Sequence, residues 1–513
     1  MSAHPQAHPH APPMPPPFGP RIVIALLGVL LASLVAGLNE HVTEVAMADI
    51  RGGMGIGHDD GTWLTTAYEA TQVAGMLFAP WFAVTFSMRR FIVGVILAFA
   101  TLGILCPFAP DAESLILLRA TQGLVGGCLP PMLMSSALRF LPPGIKLYGL
   151  GAYALTATFG PNLGVPLAAL WTEVFDWRFA FWQVVPFCAV AAAACAYGLP
   201  QDPIRLERFH RFDWPGLLTG FPAICMIVVA LMQADRLDGF NSPLIVGTAL
   251  GGAGLFVLFL VNEWSHALPF IQLRLLRIRN FSHALITLAG VLVVLSAVGA
   301  LPSLYLGEVW GYRPLETTPL ALMVALPQLV ALPLVAALLN IRWIDCRWVL
   351  ATGLVLIALS CLGATQVTSD WSRENFYLLQ LLQVFGQPMA VIPLLMQATG
   401  SLTPTDGPFA SAMFNSVKGL AAVIGTAVVE GLGTAREHLH SNTLLDRLGN
   451  LPILDSAMGD LTRLGNRVRE QALVLTVADI YGVMAVVALA LIVLIPVMPV
   501  RVYPPRPAAR PAA

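Results

Sequence analysis

The sequence predicts an all-α polytopic membrane protein. Three observations carry this: repeated apolar runs of membrane-crossing length, a scarcity of charge, and a bias of the remaining Arg and Lys toward alternate loops. Of 513 residues, 57% are hydrophobic and 11% charged, where an ordinary soluble domain carries roughly 25% charged residues. At a mean hydropathy of +0.75, a soluble fold would be left with large apolar patches in water, whereas lipid tails solvate the same surface. The net charge of −1 provides no basic field, so nucleic acid is not an expected partner.

The first element, residues 1–20, is Pro-rich and lacks a basic segment ahead of an apolar core. It is expected to be a disordered cytoplasmic tail rather than a cleaved leader. His4, His8 and His10 have no Cys or carboxylate companions there, so no metal site is expected.

A membrane helix needs about 20 mostly apolar residues, because its backbone must satisfy its own hydrogen bonds. That ruler marks fourteen stretches, near 22–46, 62–83, 91–109, 114–139, 148–170, 180–200, 215–234, 243–263, 282–306, 317–340, 347–366, 375–398, 408–433 and 473–498. Arg21, Arg89, Arg90, Arg139, Lys146, Arg274, Arg277 and Arg501 fall in segments expected on the cytoplasmic side, with both termini inside. The short outer loops keep only Arg51, Arg178, Arg236, Arg313 and Arg373. Segment 434–472 mixes acids with Arg and is expected to be a polar helical excursion on the outer face, a natural docking element or a solvated loop. The tail 501–513 returns to the cytoplasmic side. All seven cysteines lie in or beside apolar runs without metal-type spacing and are read as small buried side chains.

Ionisable residues near a span's centre cost about 2.5–3.5 kcal/mol on the insertion scale, so each one marks a functional candidate. The first span holds Glu40, His41 and Glu44, the second Glu69, the fourth Arg119 and the thirteenth Lys418, with Glu430 and Asp479 nearer span ends. Glu40 and Glu44 stand four apart on one helical face, where two carboxylates resist ionising together. The pair is therefore a candidate proton carrier, the alternative being that both snorkel to the headgroups. Arg119 needs carboxylate or carbonyl partners, for which the apposed acids are the expected choice, and Gly123, Gly126 and Gly127 permit close helix approach. Gly160, Pro161, Gly164 and Pro166 within one span predict a bend or unusually tight packing. No nucleophile–base set, zinc-protease motif, nucleotide-binding Gly loop or CxxC is present, which argues against an enzyme and against ATP as the energy source.

Arg119, Gln122 and Gly123 in RATQG resemble the fourth-helix motif of the major facilitator superfamily, and Gly160, Pro161 and Gly164 in GPNLG its antiporter motif. With GTWLTTAYEA at 61–70, DWRFAFWQVVP at 176–186 and PFIQLRLLRIRNF at 269–281, the chain resembles the EmrB/QacA-type drug:proton antiporters over nearly its full length. The resemblance implies the major facilitator fold: an N-terminal six-helix bundle at 21–200, two inserted helices in a linker at 201–280, and a C-terminal bundle at 281–500. It further implies alternating access, proton coupling through Arg119 with Gln122, and an antiporter helix shaped by Gly160, Pro161 and Gly164. EmrB-like members work with a periplasmic EmrA-like adaptor and an outer-membrane channel, which makes both expected partners beside a small-molecule substrate and membrane lipid.

This chain departs from that pattern at three places. Where the family has LDxTIVNVA it reads LNEHVTEVA, so Asn39 takes the Asp position while Glu40 and Glu44 are new acids. The cytoplasmic GxLaDrxGrr is reduced to PWFAVTFSMRR, with Val84 in place of the acid and Arg89 and Arg90 left as the gate residues. Lys418 falls where EmrB-like chains have Arg and joins Asn39, Tyr68, Glu69 and Gln72 as substrate-cavity candidates. The expected function is proton-driven efflux of hydrophobic or amphipathic compounds across the inner membrane, with no cofactor beyond the proton gradient. The alternatives are a dedicated exporter of an aromatic acid or siderophore, a symport importer, or an integral membrane enzyme.

Overall fold

The computed structural model describes residues 18–400, 402–403, 406–449, 461–497 and 500–504, and every regular element among them is helical. The expected tails at 1–17 and 505–513, and the middle of the polar excursion at 450–460, lie outside the described residues.

The α-helices are α1 Pro20–Val45, α2 Met47–Met54, α3 His58–Phe86, α4 Met88–Leu105, α5 Ala112–Gly127, α6 Leu129–Phe140, α7 Lys146–Ala169, α8 Phe179–Trp182 and α9 Val184–Gly198. After these come α10 Trp214–Gln233, α11 Pro243–Ser265, α12 Arg279–Trp310, α13 Pro314–Asn340, α14 Cys346–Ala364, α15 Tyr377–Gly400, α16 Gly407–Gly449 and α17 Leu461–Leu494.

Eleven segments among the described residues are long and apolar enough to cross a bilayer: α1, α4, α8 with α9, and each helix from α10 to α17. The other three expected spans fall on α3, on α5 with α6, and on α7. Helices α5 and α6 have 16 and 12 residues and part at Cys128, ahead of Pro130 and Pro131, where proline at the first turn suits a helix start and removes the backbone donors that would continue α5. Helices α3 and α7 have 29 and 24 residues, but their apolar runs are diluted by polar side chains such as Thr66, Gln72 and Thr158, which are buried inside the protein. A helix that faces protein rather than lipid does not need a uniformly apolar surface.

Helix α1 packs on α7 and α9, α3 on α5, and α4 on α5 and α9. In the second half α12 packs on α16 and α17, and α14 on α15 and α17. The halves meet chiefly through α7 against α13 and α3 against α16, while α10 rests on α11, α3 and α16. Small residues allow backbone contact here: a Cβ on Gly123 or Gly127 of α5 would come within 2.1 Å of the Tyr68 or Gln72 carbonyl oxygen of α3. Backbone approach of this kind brings the polar side chains of both helices together in the bundle interior.

Helix α16 runs 43 residues without a break, about 65 Å at 1.5 Å per residue and roughly twice the hydrocarbon thickness. The expected separate excursion at 434–472 is therefore, where described, an extension of α16 and of the start of α17. Asp479 of α17 takes Arg436 at 3.5 Å and His440 at 2.9 Å. Thr434 Oγ1 donates to Asp235 at 2.8 Å. Unbroken helical hydrogen bonding and these polar cross-links hold the extension without a core of its own.

The turn between α3 and α4 is a single buried residue, Ser87, at φ 77°. Positive φ in a non-glycine residue reverses the chain within one position.

Candidate functional site

Helix α5 begins at a capping box in which the Asp111 side chain accepts from the Ser114 amide at 2.8 Å and the Asp111 amide donates to the Ser114 hydroxyl. The cap's hydrogen bonds hold the exposed Asp111 carboxyl below its usual range. From this start α5 carries Arg119 two turns into the bundle, where it is 2% exposed.

Arg119 is held by neutral groups. Its guanidinium donates to Gln122 Oε1 at 2.8 Å and to Thr43 Oγ1 at 2.8 Å, and lies 4.0 Å from the Tyr68 ring centre and 5.8 Å from that of Phe181. The sequence favoured the apposed acids as partners; among the described residues no carboxylate comes within ion-pair distance of Arg119. The reason is geometric: Tyr68 fills the guanidinium face, and Thr43 occupies the α1 side of the fork. Thr43 in turn donates to the Asn39 carbonyl at 2.7 Å and the Glu40 carbonyl at 3.0 Å. Arg119 thus grips the α1 backbone beside Glu40 and still interacts electrostatically with Glu40 and Glu69.

Glu40 and Glu44 share a helix but not an environment. Glu40 is half-buried and accepts from Gln72 Nε2 of α3 at 2.6 Å. Glu44 is 48% exposed and pairs with His41 at 3.4 Å. The four-residue spacing places both on one face, where Glu40 is bound to α3 while Glu44 stays open and pairs within its own helix. Glu69, 8% exposed, interacts electrostatically with Glu40, Glu44, Glu430 and Arg119 and has no hydrogen bond among the described residues.

Two expected cavity residues are core residues in this structure. Tyr68 and Asn39 are both 0% exposed, and the Tyr68 hydroxyl donates to the Ala36 carbonyl at 3.4 Å. The Tyr68 ring lies against Arg119, whereas both atoms of the Asn39 side-chain amide are buried without a hydrogen-bond partner among the described residues. Gln72 is buried with them and bound to Glu40.

Lys418 of α16 lies across the contact between halves. Its ammonium donates to Thr156 Oγ1 of α7 at 3.0 Å and sits 5.7 Å from the Tyr153 ring centre. Tyr153 donates to Asn415 Oδ1 at 2.7 Å, making a second α7–α16 tie. Lys418 also interacts electrostatically with Glu40. Ser411 donates to the Pro131 carbonyl on the same side at 2.7 Å.

Of the GPNLG residues, Gly164 makes the close approach: a Cβ there would lie 2.6 Å from His41 Cβ of α1, whereas one on Gly160 would meet nothing within 4 Å. Pro161 is accommodated inside a continuous α7, which ends in a π turn at Leu170–Val174. Arg89 and Arg90 follow the Ser87 turn and have neither a hydrogen bond nor an ion pair among the described residues. Ion pairs at that end of the molecule include Arg139–Asp202 at 2.6 Å, Arg274–Asp406 at 3.2 Å and Asp345 with Arg347 at 2.7 Å and Arg501 at 3.7 Å.

The sequence reading missed Thr43, Tyr153, Thr156 and Asn415. Hydroxyls and amides in spans carry no formal charge to flag them, and a hydroxyl can return its bond to its own helix, as Thr43 does.

Residues 29–326 match the Major Facilitator Superfamily profile. The chain is 24% identical over 414 residues to the multidrug export protein EmrB of Escherichia coli, covering 80% of each protein. It is 24% identical over 415 residues to the fatty acid resistance protein FarB of Neisseria gonorrhoeae, again covering 80% of each. The crystal structure of the human organic anion transporter TETRAN superposes with a TM-score of 0.57 at 12% identity, over 92% of this chain and 100% of that one.

Proposed function

The chain belongs to the major facilitator superfamily and is a multi-pass membrane transporter rather than an enzyme; on that premise we propose that it exports hydrophobic or amphipathic small molecules across the inner membrane in exchange for protons. In this reading fourteen helices cross the membrane with both termini cytoplasmic, arranged as bundles at 21–200 and 281–500 around an inserted pair. The names of EmrB and FarB favour efflux of such compounds.

The observation that carries the coupling is Arg119 gripping α1 through Thr43 while Glu40, one turn away, is half-buried and bound to Gln72. Protonating Glu40 removes a negative charge from the reach of both Arg119 and Lys418. Lys418 ties α16 to α7, so the charge state of α1 bears on a contact between the halves that alternating access must break. A proton moving down a potential of 100 mV releases about 2.3 kcal/mol for this work.

The test is uptake of a panel of lipophilic dyes and aromatic acids into inverted vesicles, with and without a proton gradient, for wild type, Arg119→Ala and the double variant Glu40→Gln, Glu44→Gln. Gradient-driven accumulation in wild type that both variants lose supports the reading. Coupled accumulation in the double variant removes the α1 acids from the mechanism. The long α16–α17 hairpin favours, in the same reading, an adaptor protein and outer-membrane channel as partners.

A further inference from the structure

Two acids that the transport reading does not use are buried together where the inserted helix pair meets the rest of the molecule. Asp213, the N-cap of α10, is 0% exposed, and Glu263, near the end of α11, is 3% exposed. Gly216 makes room for both: a Cβ there would lie 2.4 Å from Asp213 Oδ2 and 2.9 Å from Glu263 Oε1.

Their four oxygens can be accounted for one by one. Asp213 Oδ1 accepts from the Gly216 amide at 2.8 Å, and Oδ2 from Asn262 Nδ2 at 2.6 Å. Glu263 Oε2 accepts from the Ile271 amide at 2.9 Å. Glu263 Oε1 is buried without a hydrogen-bond partner and lies with Asp213 Oδ2 against the same glycine, Gly216, so the two carboxyls interact. Two carboxyl oxygens can bond only through a proton.

We propose that Asp213 and Glu263 bind one shared proton, which is structural rather than transported, and that it clasps the linker after α11 to the start of α10. The linker is tied here at Ile271, and the residues on either side of it reach the rest of the fold. Phe270 packs against Phe78 of α3 at 4.7 Å and near Trp81 at 5.9 Å, and Arg274 pairs with Asp406 ahead of α16 at 3.2 Å. One proton thus closes a joint among the inserted pair, the first half and the second half.

The charged or titratable groups facing the pair are few. His266 of the linker lies 3.8 Å from Asp213 Oδ2. Helix α3 brings Phe78 and Trp81 to Phe270 of the linker, and Arg208 lies over the Trp81 ring at 5.1 Å. Apart from His266, no cation pairs with either acid among the described residues, so losing the proton leaves two apposed carboxylates in a buried site. Alkaline pH should therefore free the linker.

The inference does not depend on proton-coupled efflux, and its test does not measure transport. The full-length protein in lipid is examined by infrared spectroscopy at neutral pH for the carbonyl stretch of buried protonated carboxyls. The expected result is loss of one such component in Glu263→Gln and in Asp213→Asn, and its retention in Glu40→Gln. A spectrum unchanged in both variants at this pair overturns the proposal. A second readout is tryptic cleavage at Arg274, compared with Glu263→Gln at each pH. Wild type should be cut several-fold faster as pH rises, while the Gln variant, whose amide donates permanently to Asp213, should stay slow. Superimposed cleavage curves would also overturn it.

Discussion

Arg119 and Thr43 are joined by a 2.8 Å hydrogen bond between a guanidinium on α5 and a hydroxyl on α1, in a bundle that holds Glu40 and Glu69 nearby. A hydrogen bond to a charged group contributes about 1.5–3 kcal/mol, so Thr43→Val should reduce gradient-driven transport roughly ten- to a hundred-fold if α1 is coupled through this bond. Arg119→Lys should fare no better, because an ammonium cannot bond Gln122 and Thr43 while lying flat on Tyr68. Vesicle uptake with matched protein levels checks both.

Glu40 and Glu44 should separate functionally. Glu40→Gln is expected to abolish the response of uptake to an imposed pH gradient, since Glu40 is the acid bonded within the bundle. Glu44→Gln should keep most of that response, because its side chain is already 48% exposed. Equal loss in the two single variants would show that solvent exposure does not decide the carrier.

Gly164 and Gly160 should also differ. Gly164→Val forces atoms into His41 and should cost about 1–3 kcal/mol by overpacking, lowering the thermal midpoint in detergent. Gly160→Ala has open space around it and should leave the midpoint unchanged or slightly higher.

Asp345 offers a pH-dependent stability. Burial opposes its ionisation, but hydrogen bonds from Arg347 and the charges of Arg347 and Arg501 outweigh that and hold the carboxyl below its usual range. A depressed folded value means the stabilisation is full above the ordinary carboxylate range and is lost as pH falls through the depressed one. Because Arg347 is 37% exposed, solvent screening limits the effect to about 1 kcal/mol. Asp345→Asn should remove that acid-range component from the pH profile of the thermal midpoint, with little change in that component for a control at exposed Asp59.

Much of the site was legible because charge inside an apolar run is conspicuous. Arg119, Glu69 and Lys418 stood out for that reason, and each lies buried or between the halves. Tyr68 and Asn39, cavity candidates from the sequence, are fully buried in this structure, and polarity alone marks a residue without saying what it serves. The pairing of Glu40 with Gln72, and of Glu44 with His41, depends on how far α1 turns between neighbours, which helical spacing alone does not specify. Asp213 and Glu263 escaped notice altogether: 50 positions apart near span ends, they look like ordinary headgroup-level acids.

Composition and the spacing of apolar runs determined, without any structure, that this chain lives in lipid and that its regular elements are helices, as every one among the described residues is, because the cost of unpaired backbone in hydrocarbon leaves little else. The tertiary structure decided which polar groups meet. Such partnerships join helices tens to hundreds of residues apart, as Tyr153 with Asn415 does, and follow from how small residues let backbones approach and rotate, a property of pairs of helices that no single span contains.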